Sequence, residues 1–221
     1  MNAKTFSIGQ ALEFGVSTLK RNMGMSIGIG AASLGTMLIV NGLAETAQDH
    51  AVLVMGFGLV SQLVQVFWSL VWIRFALSAY DAQVLRPREL VPDSKLYLEY
   101  LAVSLLYGLV VIAGLFLLII PGIYLAVRYG LVGFLVADGR SDVLSSFPKS
   151  AALTRGVRWR LFLFMVVVTL LNFVGVMFFG IGLFFTVPIS MFAMALVYRR
   201  LAIQAESERP PIVAPPSPQP A

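Results

Sequence analysis

The fold of this chain can be inferred from residues 100–137, which read YLAVSLLYGLVVIAGLFLLIIPGIYLAVRYGLVGFLVA. The stretch contains 38 residues and a single charge, Arg128. As one α-helix it would be about 57 Å long, whereas the hydrocarbon core of a membrane is only about 30 Å thick. The stretch must therefore fold back on itself. Pro121 and Gly122 predict the turn, because proline removes a backbone donor and glycine permits turn conformations.

A second stretch, residues 161–198, has the same length and no charge, with Gly180, Ile181 and Gly182 near its centre. Two shorter apolar stretches precede both, at 23–43 and 51–80. Hydrophobic residues make up 58% of the chain and charged ones 12%, with a mean hydropathy of +0.86. In soluble domains, about 45–50% of the residues are apolar and about 25% are charged. The composition therefore excludes an ordinary soluble domain, a disordered chain and a fibre.

The sequence predicts an all-α integral membrane bundle of six transmembrane helices, arranged as three hairpins with amphipathic interfacial segments. We expect an interfacial helix at 1–22, a membrane domain at 23–205 and a disordered, proline-rich tail at 206–221. The predicted spans are about 23–43, 51–80, 100–120, 122–137, 160–179 and 182–199.

Basic residues fall on one side of these spans. Of the 16 Lys and Arg residues, 14 lie before the first span, after the last one, or in the connectors that follow the second and fourth. The other three connectors hold none, so the positive-inside rule predicts cytoplasmic termini. A signal peptide cleaved near Ala44 or Ala47 is the alternative to a first span. The 22 residues before the apolar core disfavour it, because a compact basic region is expected there.

Interfacial segments at 6–22, 88–99 and 142–159 precede the three hairpins, so the chain resembles three copies of one unit. The first is predicted to have an apolar face of Phe6, Ile8, Leu12, Val16 and Leu19, and the third one of Val143, Leu144, Phe147 and Ala151. Both end in basic residues, which in the third segment include Arg155 and Arg158. These segments either contact anionic lipid headgroups or are connectors whose charges only set the topology.

Polar residues inside the predicted spans are the candidates for function. Arg128 needs a partner, which is either a structural group within the hairpin or a lipid phosphate. Gln62 and Gln65 share one face of the second span with Ser69, and Asn172 lies in the fifth span. Such residues either join helices by hydrogen bonds or line a substrate path. Arg74 is expected to extend toward the membrane surface.

Several chemistries are excluded by what the sequence lacks. It contains no cysteine and one histidine, His50, and no predicted span contains Asp or Glu. It has no glycine-rich phosphate loop with a lysine. We therefore predict no catalytic residue, no metal site, no cofactor and no nucleic-acid partner.

The runs IPGIYLAVR at 120–128 and SAALTRGVRW at 150–159, with Asp138 and Gly139 between them, carry a family resemblance. They resemble the membrane domain attached to some glycerophosphoryl diester phosphodiesterases, and its six-span bacterial inner-membrane relatives. The similarity covers about 101–201. Because only 20 residues follow Leu201, we expect no phosphodiesterase domain and no enzymatic activity. The run departs from the family at Phe147 and Pro148, which predicts an interrupted helix there.

The resemblance and the spans together favour a non-enzymatic bacterial inner-membrane protein that acts as a scaffold or accessory factor in envelope or lipid homeostasis. The alternative is a transporter or lipid-handling protein with a polar path near Arg128, Gln62 and Gln65. Expected partners are membrane lipids and either another membrane protein or a second copy of the chain. A central cavity that reaches Arg128 would favour transport, and a solidly packed bundle would favour a scaffold.

Overall fold

The computed structural model describes residues 6–46, 50–81, 87–177 and 180–207, and within these ranges it is 87% helical with no strand. The helices of the first half are α1 (Ile8–Arg21), α2 (Met23–Glu45), α3 (Ala51–Tyr80), α4 (Pro87–Leu90) and α5 (Ser94–Leu117). Those of the second half are α6 (Ile119–Tyr129), α7 (Val132–Ala137), α8 (Val143–Leu153), α9 (Arg158–Met177) and α10 (Leu183–Ser207). The tail beyond Ser207, predicted to be disordered, lies outside the described residues.

Six helical segments in the described ranges are long and apolar enough to cross a membrane, as predicted. They are α2, α3, α5, the pair α6–α7, α9 and α10. Successive segments pack as pairs, α2 on α3, α5 on α6, and α9 on α10. The middle interfacial segment differs from its prediction. Only α4 is separate, because the chain from Ser94 onward forms the first turns of α5.

The second hairpin turns at Leu118, three residues before the predicted position. Leu118 is extended, with φ −169° and ψ 151°, and Pro121 and Gly122 lie in the first turn of α6. Proline is tolerated there because the first backbone N–H groups of a helix have no intrahelical partner. Gly122 serves close packing instead, since a Cβ on it would lie 2.7 Å from the backbone N of Leu115 in α5.

The third hairpin turns where the glycines predicted it. Gly180 has φ +76°, a conformation that favours glycine, and α10 begins at Leu183. Gly182 approaches α9 so closely that a Cβ on it would lie 2.7 Å from the Cα of Gly175. In the second hairpin the corresponding pair is Gly114 and Gly122, since a Cβ on Gly114 would lie 2.9 Å from the Cα of Gly122. Both later hairpins therefore bring two backbones together at a pair of glycines.

Helix α10 is the centre of the described structure, because α1, α2, α3, α8 and α9 all contact it. Helix α1 packs directly against it through Ala11, Gly15, Thr18 and Leu19, all buried. The predicted apolar face is thus partly wrong, since Val16 is 40% exposed. The small residue Gly15 decides this orientation, because it lets α1 approach the backbone of α10 at Ile189.

The predicted apolar face of α8 is also partly wrong, although Val143 and Phe147 pack against the core as expected. Leu144 is 77% exposed, whereas Ser146, Ser150 and Leu153 are buried. The hydroxyl face turns inward because it has backbone groups to bind there. The helix continues through Pro148, contrary to the expected interruption. Proline has no N–H to donate to the carbonyl of Leu144, four residues earlier, but Leu144 lies at an exposed position of the helix.

Candidate functional site

A cavity of about 820 Å³ lies between α2, α3, α5 and the N-terminal part of α10. Its walls are mostly apolar and include Met37, Trp72 and Phe184. One polar strip crosses them, formed by Ser33, Gln62, Gln65, Ser69, Tyr100 and Ser104. The size and the mostly apolar lining are typical of sites that bind small molecules, for which volumes of about 300–1,000 Å³ are common.

The polar strip arises from helical periodicity and one cross-helix contact. Gln62, Gln65 and Ser69 are spaced i, i+3, i+7 and line the same wall, which confirms their predicted common face. The hydroxyls of Ser69 and Tyr100 are 2.9 Å apart and join α3 to α5. Within the described chain, the amides of Gln62 and Gln65 have no hydrogen-bond partner, and both side chains are exposed. Two amides are therefore free to bind the polar part of a ligand.

Arg128 does not line this cavity. It lies near the end of α6, whereas the residues that α5 contributes to the cavity, Tyr100 and Ser104, lie in the first half of that helix. Tyr107, two turns beyond Tyr100, donates to the carbonyl of Ala126 in α6 at 3.1 Å. Among the described residues, this cavity therefore brings Gln62 and Gln65 together without Arg128.

The fourth span is broken between α6 and α7, at Gly130 and Leu131, where the sequence predicts one helix. The break frees backbone groups, and α8 binds them. The carbonyl of Arg128 accepts from Ser150 Oγ at 3.1 Å and from Thr154 Oγ1 at 3.2 Å. The N–H of Leu131 donates to Ser150 Oγ at 3.4 Å. A buried backbone group without a hydrogen-bond partner is costly, so these two hydroxyls stabilise the break.

The double substitution of Ser150→Ala with Thr154→Val should lower the free energy of unfolding by about 1–3 kcal/mol, because it leaves a buried carbonyl without donors. Ser150 and Thr154 are both 0% exposed. Thermal unfolding in detergent measures the effect. Thr169→Val is the matched control, since its exposed hydroxyl donates only within α9, to Met165 O. Equal melting temperatures for control and double variant would contradict the role of the hydroxyls.

The remaining predicted residues lie outside the cavity. Arg155 is exposed, and Arg158 donates to the hydroxyl of Tyr124 in α6. Asn172 donates from Nδ2 to Ser190 Oγ at 3.0 Å and so joins α9 to α10. This is a hydrogen bond between helices, the first of the two roles expected for such residues. Arg74, expected to extend toward the membrane surface, donates to the carbonyl of Glu89 in α4 at 2.8 Å.

A buried ionic network, absent from the sequence prediction, centres on Arg199 of α10, which is 8% exposed. Its Nη2 is 2.5 Å from Asp81 Oδ2 and its Nη1 is 2.7 Å from Asp138 Oδ2. The Tyr198 hydroxyl also donates to Asp138, at 2.9 Å. Arg140 continues the network, since it contacts Asp138 at 2.6 Å. The network ties together the C-terminal ends of α3 and α7 and the middle of α10.

The sequence does contain a weak signal for this network. Asp81 and Asp138 each directly follow an apolar helix, and Arg199 comes directly after a long uncharged stretch. In the sequence, Arg199 contributes to the charge asymmetry, and no local pattern indicates a buried partner. Nothing local links these residues, because 118 positions separate Asp81 from Arg199.

No protein-family model matches the chain, and neither curated proteins nor solved structures provide a match. The resemblance carried by 120–128 and 150–159 therefore stays a prediction. Among the described residues, no group of three or more His, Asp or Glu side chains could hold a metal ion.

Proposed function

We propose that this protein is a non-enzymatic, multi-pass protein of the bacterial inner membrane that binds a lipid or another amphiphile in the cavity between α2, α3, α5 and α10. It would act there as an accessory factor in envelope or lipid homeostasis, with cytoplasmic termini. Six apolar helices are consistent with a multi-pass membrane protein. The observation that carries the proposal is a mostly apolar cavity of about 820 Å³ with one polar strip.

The polar strip determines which ligand suits the cavity. Inside a bilayer, an acyl chain gains little from an apolar wall, because the surrounding lipid is equally apolar. Unpartnered amides at membrane depth, in contrast, favour any ligand that can bind them. Gln62 and Gln65 supply such amides beside apolar walls. The cavity is thus suited to a ligand with an apolar chain and a polar group.

The position of Arg128 supports binding rather than transport. A polar path through the bundle would need polar groups that continue from the strip toward the other hairpins. Tyr100 and Ser104 are the polar residues that α5 contributes to the cavity, and Ser104 donates to the carbonyl of Tyr100 at 2.7 Å. Arg128 is not among the lining residues. The geometry therefore favours a protein that holds a ligand over one that passes it across the membrane.

Tryptophan fluorescence can test ligand binding, because two of the three tryptophans, Trp68 and Trp72, line the cavity. The variant Trp159→Phe leaves only these two emitters. Titration of the detergent-solubilised variant with a brominated fatty acid should give saturable quenching, since bromine quenches on contact. The same fatty acid without bromine should compete and restore the emission.

A matched pair of substitutions in α5 tests whether the quenching fatty acid binds in the cavity. Ser104→Phe places a ring in the cavity and should abolish the saturable component, whereas Ser94→Phe, at the exposed first residue of the same helix, should leave it unchanged. Quenching that rises linearly, or that is equal in both variants, would refute the proposed function.

A further inference from the structure

Two arginines at the junction of α6, α8 and α9 are held against tyrosines. The Cζ of Arg128 lies 5.3 Å from the ring centroid of Tyr129, and the Cζ of Arg158 lies 5.1 Å from that of Tyr124. Arg158 also donates from Nη1 to the Tyr124 hydroxyl at 2.6 Å. Tyr124 and Arg128 are spaced i, i+4 on α6 and so share one face. Arg158 therefore contacts α6 on the helix face to which Arg128 belongs.

Neither arginine has a counter-ion in the part of the chain that the structure describes. The nearest carboxylate in sequence to Arg128, that of Asp138, is bound by Arg140 and Arg199. The Nε atoms of Arg128 and Arg158 are both buried without a hydrogen-bond partner. Nη2 of Arg158 also donates to the carbonyl of Ala151 at 3.5 Å, so the groups that hold this arginine are neutral. Two positive charges without a carboxylate are costly in a partly buried place unless an anion binds them.

The surroundings of this pair are those of a membrane interface. Arg155 and Arg160, exposed, flank Arg158 in the sequence. Trp159 is 70% exposed and stacks on Phe162, with ring centroids 5.3 Å apart. Exposed tryptophan beside basic residues at the start of an apolar helix is typical of the headgroup layer. An anion that reaches this site is therefore most readily supplied by a lipid headgroup.

We propose that Arg128 and Arg158 bind the phosphate of an anionic phospholipid at the junction of α6, α8 and α9. Guanidinium groups bind phosphate through two parallel hydrogen bonds, and the contacts with the Tyr129 and Tyr124 rings hold the two groups in place. The site shares no lining residue with the cavity between α2, α3, α5 and α10. It is therefore independent of the ligand proposed for that cavity.

Native mass spectrometry of the detergent-solubilised full chain tests this site. Phosphatidylglycerol should be retained more strongly than phosphatidylcholine, and Arg128→Gln or Arg158→Gln should each weaken its retention about tenfold, as loss of a charged hydrogen bond implies. Arg160→Gln is the matched control, since it removes the same charge at an exposed position of α9. Equal retention of the two lipids, or equal loss in the control, would overturn the proposal.

Two further measurements distinguish weaker lipid binding from loss of folding, and a bound lipid from bound inorganic phosphate. Arg128→Lys keeps the charge but lacks the planar fork, so it should weaken retention while the melting temperature stays near that of the parent protein. Excess inorganic phosphate should leave the bound phospholipid in place. Displacement by inorganic phosphate would assign the site to free phosphate instead and refute the lipid. Fluorescence quenching from Trp68 and Trp72 should persist in every arginine variant, which separates this result from that of the cavity.

Discussion

Arg199→Leu should lower the free energy of unfolding by about 3 kcal/mol, because removal of one member of a buried ionic network leaves the others uncompensated. Asp138, with a side chain only 11% exposed, would keep only Arg140 and the Tyr198 hydroxyl, and Asp81 would lose its contact at 2.5 Å. Thermal unfolding in detergent, at matched protein and detergent concentrations, measures the loss.

The neighbouring residue supplies the control. Arg200→Leu removes the same charge from the same helix but breaks only an exposed bond to Gln10, so it should change stability by less than about 1 kcal/mol. The combined replacement of Arg199, Asp81 and Asp138 by leucine should recover most of the loss, because an apolar substitute for a whole buried network is often neutral. A melting temperature for Arg199→Leu equal to that of Arg200→Leu would show that the network contributes nothing.

Gly15→Leu should separate α1 from α10 and destabilise the protein by about 3 kcal/mol, at the upper end of overpacking effects. A Cβ at this position would lie 2.5 Å from the carbonyl oxygen of Ile189. The clash is with backbone, which cannot move aside as a flexible side chain can. Limited digestion with trypsin gives a direct readout, since Lys20 and Arg21 lie at the end of α1. Faster cleavage there is expected when α1 no longer packs on α10.

Gly9→Leu is the control for this substitution. Gly9 lies on the same helix, and the nearest atom to a Cβ there is Ser7 Oγ at 4.0 Å. Both changes raise helix propensity equally, so the difference between them reports the contact with α10. Equal cleavage rates and melting temperatures in the two variants would contradict the tight packing of α1.

Features of the fold that depend only on local requirements agree with their predictions. Gly180 marks a turn because its positive φ is a local requirement, and the spacing of Gln62, Gln65 and Ser69 defines a face whatever packs against it. The turn predicted at Pro121 was wrong for a physical reason. Proline is compatible both with a turn and with the first turn of a helix, and only the contact of Gly122 with α5 distinguishes the two.

The broken fourth span illustrates the opposite case. Residues 119–137 are uniformly apolar apart from Arg128, so hydropathy indicates one helix. The interruption at Gly130 depends on Ser150 and Thr154 of α8, which bind the carbonyl that it frees. In the sequence, the hydroxyl residues of α8 indicate a polar, solvent-exposed surface. It becomes a buried surface only when a neighbouring backbone offers groups to bind.

Six apolar helices, the turn at Gly180 and the common face of Gln62 and Gln65 could be predicted because hydropathy and helical period are properties of adjacent residues. Helix packing was needed to show that these glutamines line a cavity, that Arg128 lies outside it, and that Arg199 joins Asp81 to Asp138. These arrangements involve residues distant in the chain, so no local pattern predicts them. Which residues meet depends on how closely the helices approach, and at Gly15 and Gly122 a missing side chain makes that approach possible.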